Sequence, residues 1–247
     1  MANDIATFLT WRSIGKSLKT DSQVGVSVLW FAAGLSTQEA GSLDDDGWVE
    51  MNNERVKVAV GDLLDALELG IDVTERDMTS ERVAVLWSEL LSGIHDEPSA
   101  YLRGGFSQGY TELVALRDIP FFSMCEHHLL PFFGKAHIAY LPGPQGRIAG
   151  ASNLAKVVLS VSRRLQIQER LTAQVAEAVA KGIDASGVLV VAYAEHLCIT
   201  MKDRTDLGSK LVTTAANGIL ESDHELRSQA MLMLMGDVDS HSREATL

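Results

Sequence analysis

From Val56 onward apolar residues recur at near-helical spacing: Val58, Val60, Leu63, Leu64, Leu67 and Leu69 follow the 3.6-residue period and stop at Gly70. That pattern predicts one helix. Thr79 or Ser80 can cap a second run, Val83, Val85, Leu86, Leu90 and Leu91, which ends at Gly93. Residues 97–108 contain Pro98 and the pair Gly104-Gly105 and are expected to form a connecting loop. Residues 56–108 therefore read as a small helical module.

The pattern then becomes extended. Leu113-Val114-Ala115-Leu116, Phe121-Phe122 and Ala136-His137-Ile138-Ala139-Tyr140 are β-like up to Pro142. Ser152 opens a helical stretch carrying Leu154, Val157, Val158 and Val161, and a second helix is predicted from about Gln168 to Ala180, before Gly182. Residues 188–201 are again β-like, and 211–214 add a strand. Strands, a helix pair and more strands make an α+β arrangement over 109–221. Residues 1–55 have mixed polarity and an acidic run at Asp44-Asp45-Asp46, so they read as an N-terminal extension with patchy helix. Residues 222–247 read as a tail in which Met231, Met233 and Met235 mark one side of a short apolar segment suited to packing.

Composition narrows the class. The chain has 247 residues, 46% hydrophobic and 22% charged, which is ordinary for a soluble globular protein. Two cysteines are too few for a disulfide scaffold, and no basic segment leads into an apolar run near Asp4. The longest apolar stretch, 24–35, is shorter than the roughly 20 residues that span a bilayer. A cytoplasmic protein without a membrane partner is expected. A formal charge of -12 argues against nucleic-acid binding, yet residues 125–210 carry 10 Lys and Arg against 7 Asp and Glu, leaving -15 for the remainder. Such local cations suit either a solvated surface or an anionic ligand such as a phosphate ester.

Both cysteines stand beside histidines, in Cys125-Glu126-His127-His128 and in His196-Leu197-Cys198. Thiolate and imidazole are preferred zinc ligands, and three ligands with one open position are typical of catalytic zinc. The three-residue spacing of Cys125 and His128 lets a tight turn bring both to one metal. If 196–198 is a strand, His196 and Cys198 project from the same face. Spacing alone leaves three arrangements open: catalytic zinc on Cys125, His128 and Cys198; a closed structural site with His196 as fourth ligand; and no metal. The surplus of imidazoles favours the first, because hydrolysis needs a proton shuttle besides the ligands.

Several motifs in order resemble GTP cyclohydrolase I: Arg117-Asp118-Ile119-Pro120-Phe121, Cys125-Glu126-His127-His128-Leu129-Leu130-Pro131-Phe132, Gly134-Lys135-Ala136-His137, Tyr140-Leu141-Pro142, Gln166-Ile167-Gln168-Glu169-Arg170-Leu171-Thr172 and Glu195-His196-Leu197-Cys198. The resemblance covers about 56–218. It implies the tunnelling fold, a ββααββ unit preceded by helices, whose subunits join through their sheets into a homo-oligomer, typically a decamer of two pentamers with active sites at subunit interfaces. It also implies a zinc hydrolase that opens the imidazole ring of GTP at C8, releases formate and forms 7,8-dihydroneopterin triphosphate. By the same resemblance Cys125, His128 and Cys198 are zinc ligands, and His127 and His196 transfer protons. Glu169 recognises the guanine edge, and Gln168 and Ser152 lie near base and ribose.

The phosphate end departs from the family pattern. Where the family usually has Ser-Lys and an Arg three residues later, this chain has Ser152-Asn153 and Lys156; where it has Met-Arg-Gly, this chain has Met201-Lys202-Asp203. Arg82 in Thr79-Ser80-Glu81-Arg82 keeps the family's arginine but lacks its proline. Arg82, Lys202, Lys156 and Asn153 are thus the candidate phosphate-end residues. Arg grips phosphate bidentately and Lys acts as a point charge, so two further readings stay open: ring opening on a guanine or 8-oxoguanine compound with fewer phosphates, and a zinc-stabilised ring protein that only binds.

Overall fold

The computed structural model describes residues 51–202 and 208–236; the patchy helix, apolar stretch and acidic run expected before residue 51, together with Asp203 and the end of the tail, lie outside the described residues. Helix α1 spans Asn53–Ala66, and the Asn52 side chain caps it by accepting from the Arg55 N–H. Helix α2 spans Val73–Leu90 and starts well before the predicted cap at Thr79 or Ser80. Its cap is Asp72, whose Oδ1 accepts from the N–H groups of Thr74 and Glu75 at 2.8 and 3.1 Å. Ser80 lies inside the helix and donates to the Arg76 carbonyl. The first turns of α2 are polar and exposed, so an apolar-period reading starts late.

The predicted loop 97–108 contains a 3₁₀ turn, Pro98–Leu102, and a short strand β1, Phe106–Ser107. Strand β2, Val114–Cys125, unites the first two extended runs of the sequence. A bulge between Leu116 and Ile119 absorbs Arg117-Asp118, with Asp118 at φ 59° and its carboxylate accepting from Lys135 at 2.9 Å. Strand β3, Pro131–Leu141, pairs antiparallel with β2, and the short β4, Arg147–Ile148, pairs with β1. Helix α3, Ala151–Ser162, leads through the short strand β5, Leu165–Gln166, to helix α4, Gln168–Ile183. Strand β6, Gly187–His196, is followed by the helical turn α5, Leu197–Thr200, and strand β7, Leu211–Gly218, closes the unit. The β-like reading of 188–201 is corrected here: the strand ends at His196.

The sheet order is β5-β2-β3-β6-β7, and β2-β3-α3-α4-β6-β7 is the ββααββ order of the tunnelling fold behind a helical module. On one face Phe121, Phe132, Ile138, Tyr140 and Val190 pack against Leu154, Val158, Leu171, Val175 and Val179 of α3 and α4. Burying each large apolar side chain stabilises by about 1.5–3 kcal/mol. On the other face Ala139, Leu189 and Val191 meet Leu220 of α6, Ile219–Ser222, and Ala230 and Leu234 of α7, His224–Met235. On this helix Met231 and Met235 stand one turn apart on the same side and Met233 faces away, so the three do not share one side. Met231 packs on this core, while Met233 and Met235 are exposed.

Antiparallel pairing gives the sheet two distinct ends. Phe132 sits opposite His196 beside Cys125, whereas Tyr140 sits opposite Val188 at the far end. There the buried Tyr140 hydroxyl accepts from the Ala149 N–H at 2.9 Å, tying β3 to the start of α3. Tyr140→Phe keeps the ring and leaves that N–H without its partner. A loss of about 1–2 kcal/mol is expected, read as a lower urea midpoint at unchanged slope.

Candidate metal centre and surrounding site

The turn after β2 closes tightly: Leu129 N–H donates to Cys125 O and Cys125 N–H to Leu130 O, both at 2.9 Å, with Leu129 in the left-handed region at φ 54°. The turn carries His128 back over Cys125, with Nδ1 3.9 Å from Sγ. Cys198 joins them from α5, and the ligand atoms of Cys125, His128 and Cys198 all lie within 4.8 Å of one another. A tetrahedral zinc holds such atoms about 3.5–3.8 Å apart, so a small contraction completes the site. Burial pushes the Cys198 thiol up, and the neighbouring Cys125 adds to the shift. Two adjacent thiolates are costly without a cation between them, so this donor set fits a soft divalent metal.

His196 does not join the cluster. It ends β6, while Cys198 sits on a helical turn, so the two do not project from one strand face as the spacing suggested. The His196 ring stacks on Phe132, with centroids 4.5 Å apart and planes within 3°, and Nε2 lies 2.8 Å from Gln168 Oε1. Burial holds this imidazole below its usual value, opposed in part by the charge of Glu169.

Helix α4 begins at this end of the sheet, bringing the buried Gln168 and exposed Glu169 beside His196. Arg170, which the sequence could pair with Glu169, instead reaches 44 residues back to the Glu126 carboxylate and also bonds Gln166 Oε1 and Leu165 O. That ion pair holds the Glu126 carboxyl below its ordinary range, and Glu126 Oε1 stands 3.9 Å from His127 Nε2. Glu126 N–H also donates to Gln166 O, beside the parallel pair Cys125–Gln166. The sequence reading did not single out this clamp as functional: Glu126 and Arg170 each adjoin a motif residue, but only the fold joins them.

The candidate phosphate-end residues are dispersed within one chain. Ser152, Asn153 and Lys156 lie in the first turns of α3; Ser152 is exposed, and Gly150, not Ser152, occupies the N-cap. The start of α3 adjoins Tyr140, eight strand residues from Phe132, or roughly 26 Å from the cysteine end. Arg82 is exposed on α2, and Lys202 is exposed just after α5. A cavity of about 430 Å³ lined by Phe122, Phe133, Lys135, Tyr193 and Lys210 contains none of the candidate site residues.

A model of the family described as GTP cyclohydrolase I matches residues 56–235. GTP cyclohydrolase 1 of Geobacillus sp. (strain WCH70) is 43% identical over 188 residues, covering 75% of this chain and 98% of the relative. GTP cyclohydrolase 1 of Carboxydothermus hydrogenoformans is 41% identical over 184 residues, covering 74% and 95%. The apo crystal structure of the archaeosine synthase QueF-Like overlaps 43% of this chain and 93% of its own at a TM-score of 0.36 and 20% identity, too distant to guide the reading of a site. With its Cys–His–Cys cluster at the end of a ββααββ sheet and a family match running from α1 to α7, the chain belongs to the GTP cyclohydrolase I family.

Proposed function

We propose that the chain is a zinc-dependent cyclohydrolase that opens the imidazole ring of GTP at C8, releases formate and yields 7,8-dihydroneopterin triphosphate. One observation carries the reading: Cys125, His128 and Cys198 converge while His196 is held apart by Gln168, the arrangement of an open three-ligand site with a spare imidazole. Zinc bound there supplies Lewis acidity and an acidified water at neutral pH. His196 and His127 exchange protons with the opening ring, His196 from its buried seat against Gln168 and His127 from the exposed turn. The Glu169 carboxylate accepts from N1–H and the 2-amino group of guanine, which adenine cannot match. Gln168, assigned near the base by resemblance, acts from behind His196.

The phosphate end is completed by other subunits of a homo-oligomer, a decamer of two pentamers. The outer edge of β7 and most of that of β2 have no strand partner among the described residues, which supports ring closure through the sheets. The exposed Val58, Leu63, Leu67, Val85 and Leu86 of α1 and α2 support further association. Ser152, Asn153 and Lys156 of one subunit then serve the cluster of another, joined by Arg82 and by Lys202, which lies near Cys198 in its own chain. The test is incubation of zinc-loaded protein with guanosine, GMP, GDP, GTP and 8-oxo derivatives, followed by formate release and pterin fluorescence after oxidation. GTP is expected to be much the best substrate. Preference for a less phosphorylated compound would transfer the same chemistry to that substrate, and no turnover of any would leave a binding protein.

A further inference from the structure

Gln168 is 1% exposed, and its amide sits in a network whose direction can be read. Thr172 Oγ1 lies 2.7 Å from the backbone carbonyl of Gln168, which can only accept, so the Thr172 hydroxyl proton is committed there. Thr172 and Thr213 hydroxyls are 2.6 Å apart, so Thr213 must donate to Thr172. Thr213 Oγ1 is then free to accept from the Gln168 amide nitrogen at 3.1 Å. The same nitrogen faces two further acceptors, the carbonyls of Ala192 and Leu211, each at 3.0 Å. Turning the amide over would set Oε1 against two carbonyl oxygens in a buried place. The amide orientation thus follows from chemistry.

Oε1, left facing His196 Nε2 at 2.8 Å, can only accept. We propose that Gln168 is a positioning residue: its amide geometry fixes the uncharged form of the His196 ring as the Nε2–H tautomer, leaving Nδ1 as the nitrogen that takes and returns the proton. The opposite tautomer would set the Nε2 lone pair against that of Oε1. Nδ1 has no hydrogen-bond partner among the described residues. When Nδ1 is protonated, the Nε2–H bond to Oε1 becomes charge-assisted, and the stack on Phe132 keeps the ring from turning. The anchors of the amide lie on β6 and β7, so both strands define the proton position on a residue of the site.

The catalytic half of this inference rests on the function proposed above; the tautomer does not. Neutron diffraction from deuterium-exchanged, zinc-loaded crystals at about pH 8, where a histidine is neutral, is expected to show deuterium on Nε2 of His196 and none on Nδ1. Deuterium on Nδ1, with or without one on Nε2, overturns the proposal, as does an amide ND₂ directed at His196. For the catalytic half, Gln168→Met is expected to lower kcat roughly 10- to 100-fold, the scale of a small misplacement of a reacting group, with KM and zinc content nearly unchanged. An unaltered kcat defeats the positioning role. If the wild-type protein does not turn over GTP, the proposed substrate fails while the neutron result still decides the tautomer.

Discussion

Replacing Cys198 with alanine is expected to empty the metal centre and abolish turnover. Cys198 supplies one of only two thiolates in a three-ligand cluster, and a Cys–His pair on a tight turn is a weak chelate by itself. Zinc content should fall from about one per subunit to near zero. Turnover should drop by more than about 10³-fold, since Lewis-acid stabilisation of several kcal/mol goes with the metal. The fold should survive: Cys198 is only partly buried, at the rim of a core built by Val158, Leu171 and Val190. Elemental analysis beside circular dichroism checks both halves. A variant that keeps full activity after dialysis against a chelator would remove zinc from the mechanism.

Replacing His196 with alanine should separate chemistry from metal binding. The ring makes no contribution to the Cys–His–Cys cluster, so zinc should be retained, while general acid–base catalysis worth about 10² to 10⁴ in rate is lost. The stack on Phe132 also disappears, and some loss of stability accompanies the change. Measured across a range of GTP concentrations, kcat should fall while KM and zinc stoichiometry hold. Loss of the metal in this variant would instead favour the closed four-ligand site that spacing alone permitted.

The two predictions separate because 196–198 is not a continuous strand, and here the sequence misled. The apolar run from Val188 makes the segment look β-like through Met201, and a two-residue spacing in a strand then puts His196 and Cys198 on one face. The helical turn at Leu197–Thr200 gives them different directions. By contrast the turn at Cys125–His128 was legible, because a three-residue spacing suits a tight turn that joins the two side chains. The long helices α3 and α4 were legible for the same reason as the core: their apolar period matches the face they bury. The start of α2 was not, because Asp72 caps a polar turn that buries almost nothing. Gln168 shows the limit most clearly. Its motif position linked it to the base, but its partners on Ala192, Leu211 and Thr213 are 24 to 45 residues away in sequence. A pattern of residue types carries no record of such long-range bonds.

The separation between the cysteine end of the sheet and the start of α3 has a consequence for inheritance. In the proposed ring, each subunit contributes its metal end to one site and its α3 end to another. A lesion at either end silences one function of that subunit and spares the other. Two different inactive alleles, one damaged at Cys198 and one at the α3 end, would then form mixed rings in which some sites contain two intact halves. Gene dosage would set the fraction of working sites, and a cell carrying both alleles would retain activity that neither allele confers alone.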